Sequence, residues 1–157
     1  MPILDFPDFA AAIGEGAVIA GLDVGSKTIG IAVSDRDWCF AHPRPVIARR
    51  KFGLDLERLD ERMREDGASA IVIGLPLNMD GTMSPRGQAS RAFANNVGAR
   101  RDWPILMWDE RLSTVAAERA LLEMDVSRAK RAGRIGSAAA SFILQGVLDR
   151  LAASGGG

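Results

Sequence analysis

Apolar positions in the first half of the chain come in short runs, and between the runs they recur at helical spacing. Val18 to Leu22 and Ile29 to Val33 are two β-branched runs joined by the glycine-containing turn Gly25-Ser26-Lys27. With a third stretch they predict strands at about 17–23, 28–34 and 40–48, and the short gaps favour an antiparallel meander. Phe52, Leu56, Leu59 and Met63 then repeat at helical spacing until Asp66-Gly67 stops the pattern. Ala70 to Gly74 is apolar without alternation, which suits a strand buried on both faces and paired in parallel. Ser84-Pro85 opens a second helix, since proline is tolerated in a first turn, and the helix runs to about Arg100. Ile105 to Trp108 is a fifth strand. Ser113-Thr114 with Glu118 begins a third helix to about Glu123, Ser127 to Gly133 is a polar, basic loop, and Ser137 to Leu151 is an alanine-rich final helix.

The order βββ-α-β-α-β-α-α gives a mixed five-stranded α/β sheet with helices on both faces. Residues 1–16 read as an N-terminal extension in which Phe6, Phe9 and Ile13 are spaced to dock on the body. Residues 17–152 form one domain, and residues 153–157 a frayed tail. A length of 157 residues suffices for one core that buries about two thirds of the unfolded surface.

Composition narrows the classes. Hydrophobic content of 47% with 25% charged residues is that of a soluble globular chain. No apolar run reaches the roughly 20 residues that span a bilayer, and the first sixteen residues lack the basic start of a signal peptide. The lone Cys39 excludes an internal disulfide and a cysteine zinc site, and points to the cytoplasm. Twenty basic and twenty acidic residues cancel, so the chain lacks the global basic bias of many nucleic-acid binders. Its cations are clustered all the same, at Arg44, Arg49, Arg50 and Lys51 and again at Arg128, Lys130, Arg131 and Arg134. Each cluster is either a phosphate-neutralising patch or solvated surface.

Candidate chemistry sits at strand ends. Asp23 closes the first core strand, where an unpaired buried carboxylate costs several kcal/mol, so it either meets a cation or caps the turn. Asp109 and Glu110 close the fifth strand. Parallel strands carry their sites at carboxyl ends, so these acids can meet at one sheet edge. Neighbours on a strand face opposite ways, which leaves Asp109 as a ligand, an outer group or a cap of the following helix. The loop Leu75 to Thr82 leaves the fourth strand at the same edge. Pro76 stiffens it, Asp80-Gly81 turns it, and Asn78 and Thr82 offer neutral hydrogen bonds to a nucleic acid. Lys27 and Arg111 each suit either a substrate phosphate or a structural ion pair. His42 and the three tryptophans read as packing residues.

Three segments, Gly21 to Asp35, Ile71 to Thr82 and Trp108 to Thr114, together resemble the YqgF (RuvX) family in that family's order. The resemblance runs from about Ala17 to Leu151. It implies an RNase H-like fold with strand order 3-2-1-4-5 and a metal-dependent endonuclease. The family is described as maturing pre-16S ribosomal RNA and as resolving Holliday junctions, so the implied partners are structured RNA, ribosomal particles or branched DNA, met by a monomer or homodimer. Its chemistry implies Mg2+ or Mn2+ on Asp23 and Glu110, with Asp109 beside them. The family's third carboxylate, at the start of the final helix, aligns without gaps to Gly136. A chain lacking that acid is either an active nuclease on fewer ligands or an RNA-binding module with impaired cleavage. An actin-like ATPase also opens with an Asp-x-Gly turn, but it needs a second domain for which this length leaves no room.

Overall fold

The computed structural model describes residues 3–112 and 135–155. In chain order the elements are β1 (Ile3–Leu4), α1 (Phe6–Ala12), β2 (Val18–Val24), β3 (Thr28–Ser34), β4 (Ala41–Ala48), α2 (Phe52–Asp66), β5 (Ala68–Leu75), α3 (Pro85–Gly98), β6 (Ile105–Asp109), a 3-10 turn at Glu110–Leu112, and α4 (Ile135–Gly155). The helix expected from Ser113 and the loop Ser127 to Gly133 lie outside the described residues.

The sheet has six strands in the order β1-β6-β5-β2-β3-β4, not five. The five strands other than β1 follow the expected 3-2-1-4-5 arrangement, with β2, β3 and β4 antiparallel and β5 and β6 parallel to β2. The added strand comes from the segment expected to be an extension, where Ile3 and Leu4 pair in parallel with Ile105 and Leu106. It covers an edge that would otherwise expose unpaired backbone. Two residues are too few to show a period of two, so no pattern announces it. Asp5 caps α1 by accepting from the Asp8 amide at 3.0 Å, and Phe9 is wholly buried. At the other end, alanine-rich α4 continues to Gly155, so residues 153–155 are helical and not part of a tail.

Strand alternation sorts the core into two layers. Val18, Ala20, Leu22 and Val24 of β2 face α2 and α3, meeting Leu56, Leu59, Phe93 and Val97. Ile19 faces the other way, into a cluster with Phe9, Ile143, Leu144 and Leu148 from α1 and α4. α4 runs antiparallel to β2. Near its start Ser137 accepts from the Ile31 amide and donates a short hydrogen bond to the Arg44 carbonyl, while further on Gln145 accepts from the Ala41 amide.

Glycine lets α4 come this close. A Cβ on Gly21 would lie 2.7 Å from the Leu144 Cβ and 3.2 Å from the Ala140 carbonyl. Both neighbours are backbone-fixed, so the helix would have to move. Gly21→Ala is therefore expected to cost about 1–3 kcal/mol by overpacking. In urea titrations the midpoint should fall with an unchanged slope, and an unchanged midpoint would show that α4 is held loosely.

Candidate active site

The register of the parallel strands sets Asp23 beside two other strand ends. Leu22 is paired with Ile73, which puts Asp23 level with Gly74; Gly74 is paired with Trp108, and Leu75 with Asp109. Asp23 has the same parity as Ile19 and Gly21, so its carboxylate belongs to the α4 face. β2 and β6 are two strand spacings apart, about 9.6 Å. The residue between them is Gly74, and the Glu110 Oε2 lies 3.4 Å from where its Cβ would be. Ile143 of α4 occupies that place, its Cδ1 2.5 Å from where the Cβ would be, and the Glu110 carboxylate packs beside it. Both acids are buried, at 8% and 4% exposure.

A cation does meet Asp23, and it comes from a residue that the strand-end pattern does not single out. Arg86, in the first turn of α3, donates from Nη2 to Asp23 Oδ1 at 2.9 Å. A signal was available: the positive end of a helix dipole disfavours a cation in the first turn, so an arginine after Ser84-Pro85 implies an anion nearby.

Asp109 is differently placed. Its carboxylate accepts from Arg111 Nη2 at 2.8 Å, from Arg111 Nε, and from the Arg111 amide at 2.9 Å. The Arg111 hydrogen bonds hold the Asp109 carboxyl below its usual range despite partial burial. Asp109 thus caps the 3-10 turn while Glu110 turns inward. Of the two roles open to Arg111, the ion pair is the one seen, and its Nη1 also reaches the Met79 carbonyl at 3.5 Å.

The loop after β5 is closed on itself. Asn78 donates to Thr82 Oγ1 at 2.9 Å, and Thr82 donates to Asp80 Oδ1 from its hydroxyl at 2.6 Å and its amide at 2.9 Å. Those bonds draw the Asp80 carboxyl below its usual value. Gly81 takes φ 89°, which makes the expected turn possible. Asn78 and Thr82 therefore shape the loop before they can address a ligand. Lys27 is exposed on the β2–β3 turn. Arg44 pairs with Asp66 and Arg49 with Asp55, so half of the first basic cluster is engaged in ion pairs. Arg128, Lys130, Arg131 and Arg134 lie outside the described residues.

Gly136 is the second residue of α4. Positions 136, 140, 143, 144 and 147 share one helical stripe, and Ala140, Ile143 and Leu144 of that stripe lie over Gly21 and Gly74. Two residues along β2 cover about 6.6 Å, or roughly four helical residues. From Gly21 against Ala140, that step brings position 136 level with Asp23. Ser137 faces β3 and β4 instead, where its hydroxyl is fully engaged.

Two buried carboxylates are a hard-oxygen donor pair suited to Mg2+ or Mn2+, ions commonly held by one or two carboxylates with substrate oxygens completing the shell. Among the described residues no group of three potential ligands occurs. No helix among them is long and apolar enough to cross a membrane.

Comparison with known proteins places the chain in a family. The family model described as "RuvX: Holliday junction resolvase" matches residues 17–150. A protein of Mesorhizobium japonicum, named "Putative pre-16S rRNA nuclease", is 62% identical over 141 residues, covering 90% of this chain and 85% of its own. A Brucella anthropi protein of the same name is 59% identical, covering 96% and 92%. Among solved structures, Thermus thermophilus RuvC in complex with a Holliday junction substrate superposes with a TM-score of 0.54 at 14% identity, covering 86% of this chain and 96% of that one. The yeast mitochondrial Holliday junction resolvase Ydc2 gives 0.51 at 12% identity, covering 94% and 84%. At these identities the structural likenesses establish the fold.

Proposed function

Since the chain belongs to the RuvX family, we propose that it is a divalent-metal-dependent endonuclease that hydrolyses phosphodiester bonds at the 5′ end of pre-16S ribosomal RNA in the cytoplasm. The observation that carries this reading is the pair of buried carboxylates, Asp23 and Glu110, at the carboxyl ends of β2 and β6, with Gly74 of β5 level between those strand ends. The RNA substrate is favoured by the full-length relatives at 62% and 59% identity, whose names specify it.

Asp23 and Glu110 would hold Mg2+ or Mn2+, which when bound lowers the pKa of water and neutralises charge on the phosphate. The rest is the work of the chain. Burial keeps bulk water from screening the two carboxylates. Asp109, locked to Arg111, fixes the turn that aims Glu110 inward. Hydrolysis consumes one water, breaks one P–O bond and leaves a phosphomonoester and a hydroxyl. The loop Leu75 to Thr82, tied to the site through Arg111, borders the strand that is cut. Lys27 and the basic residues of 128–134 would supply phosphate contacts, which position a strand without reading its sequence.

The family description also names a resolvase, and the same chemistry would serve branched DNA. Incubating a structured precursor RNA and a four-way DNA junction side by side with Mn2+ separates the two. Cleavage of the RNA with the junction intact is the expected result. Cutting of the junction alone would overturn the RNA assignment.

A further inference from the structure

A cavity of about 500 Å³ opens beside Asp23, between the β2–β3 turn and the start of α3. Its walls include Lys27, Arg49 and Arg86, with Ser26 and Ala89, and no acidic side chain among the described residues lines it. In a chain whose charges sum to zero, three cations facing one concavity form a local exception. Clefts of one sign focus the field and attract the opposite charge.

The cations differ in freedom. Arg49 is fixed from behind: its Nη1 donates to the Gly25 carbonyl at 3.0 Å, its Nε reaches Asp55 Oδ2 at 3.5 Å, and its guanidinium lies 5.5 Å from the Phe93 ring centroid. Asp55 is wholly buried and also takes the Arg50 amide at 2.8 Å. The Arg49 amide in turn donates to the Lys27 carbonyl at 2.9 Å, so the turn and the arginine are knitted together. Arg86 binds Asp23 through one nitrogen only, and its side chain is 45% exposed. The Lys27 ammonium has no partner among the described residues. A fixed guanidinium, a second with nitrogens to spare and a mobile ammonium are the donors one phosphate can absorb.

We propose that this cavity is a phosphate-binding subsite, in which Lys27, Arg49 and Arg86 hold a backbone phosphate of the strand next to the one cut at Asp23 and Glu110. The inference rests on the nuclease reading for its ligand class. Arg86 links the two places, touching Asp23 at one end and the cavity at the other.

The test is the salt dependence of binding, measured by fluorescence anisotropy with a labelled single-stranded ribo-oligonucleotide in EDTA, where nothing is cleaved. Removing one phosphate-binding cation should reduce the slope of log K against log salt by about 0.7. Lys27→Met is expected to show that reduction with thermal unfolding unchanged, and Arg86→Gln to show it with a lowered unfolding temperature, since Asp23 loses its cation. Arg150→Gln, on the opposite face where the guanidinium stacks on Phe6, should keep the full slope. Arg49→Lys retains a cation against Asp55 and should weaken binding at every salt concentration. Unchanged slopes for Lys27→Met and Arg86→Gln, or an equal drop for Arg150→Gln, would overturn the proposal. Cleavage with Mn2+ is scored separately. A reduced slope in a chain that cuts nothing keeps the subsite and removes the nuclease, whereas normal cleavage with unchanged slopes does the reverse.

Discussion

Asp23→Asn is expected to reduce RNA cleavage by at least about 100-fold, and Glu110→Gln to do the same, with thermal unfolding within a few degrees of the unmodified chain. The magnitude follows from coordination chemistry. Loss of a group that merely orients a ligand commonly costs 10–100-fold in metal affinity or activity, so loss of the ligand itself should cost more. The substitutions are nearly isosteric, and the amide oxygen introduced by Asp23→Asn would still accept from Arg86, so the packing under α4 survives. Asp109→Asn is the discriminating control. Its carboxylate is engaged by Arg111 and the turn amide, and the asparagine oxygen can still accept from that amide and keep the turn that aims Glu110, so the substitution should cost less than about tenfold. Parallel Mn2+ titrations by electron paramagnetic resonance should show weaker binding for the first two variants and little change for the third. If Asp109→Asn proves as damaging as Asp23→Asn, Asp109 belongs to the ligand set and the turn must open when metal binds.

Much of this site was legible in the chain because strand ends are easy to read. Asp23 follows one apolar run and Glu110 another, and parallel pairing of β2, β5 and β6 puts both strand ends at one edge. The glycine under them was not legible as a device. Gly74 reads as the end of a strand, and only the approach of Ile143 from α4, far away in sequence, shows that a side chain there would collide with the helix packed over the site. Arg86 escapes for a related reason. Its partner is 63 positions away, and local reading treats a first-turn arginine as one more solvated charge. The short β1 strand carries no period, so its pairing is visible only in three dimensions. By contrast, helices on both faces of the sheet were anticipated, because the uninterrupted apolar runs of β2 and β5 and the helical spacing in α2 report burial directly.

The largest gain of function is expected from Gly136→Asp. By helical periodicity position 136 falls on the α4 stripe that lies over Gly21 and Gly74, and the family's third carboxylate aligns there, so an acid at 136 is expected to add a ligand. A third hard-oxygen ligand should tighten Mn2+ binding and raise cleavage, each by roughly 10–100-fold. Folding gives a second readout. Replacing a helical glycine and placing an acid in the first turn both favour α4, by about 0.3–1 kcal/mol each, while three clustered carboxylates repel one another until a cation arrives. The rise in unfolding temperature on adding Mn2+ should therefore be larger in Gly136→Asp than in the unmodified chain. If the unmodified chain is silent and Gly136→Asp cleaves, the fold and two ligands have persisted past the loss of the chemistry, and the natural role is RNA binding. If both cleave equally, two carboxylates and the oxygens of the RNA suffice, and the acid at the start of the last helix is dispensable in this chain.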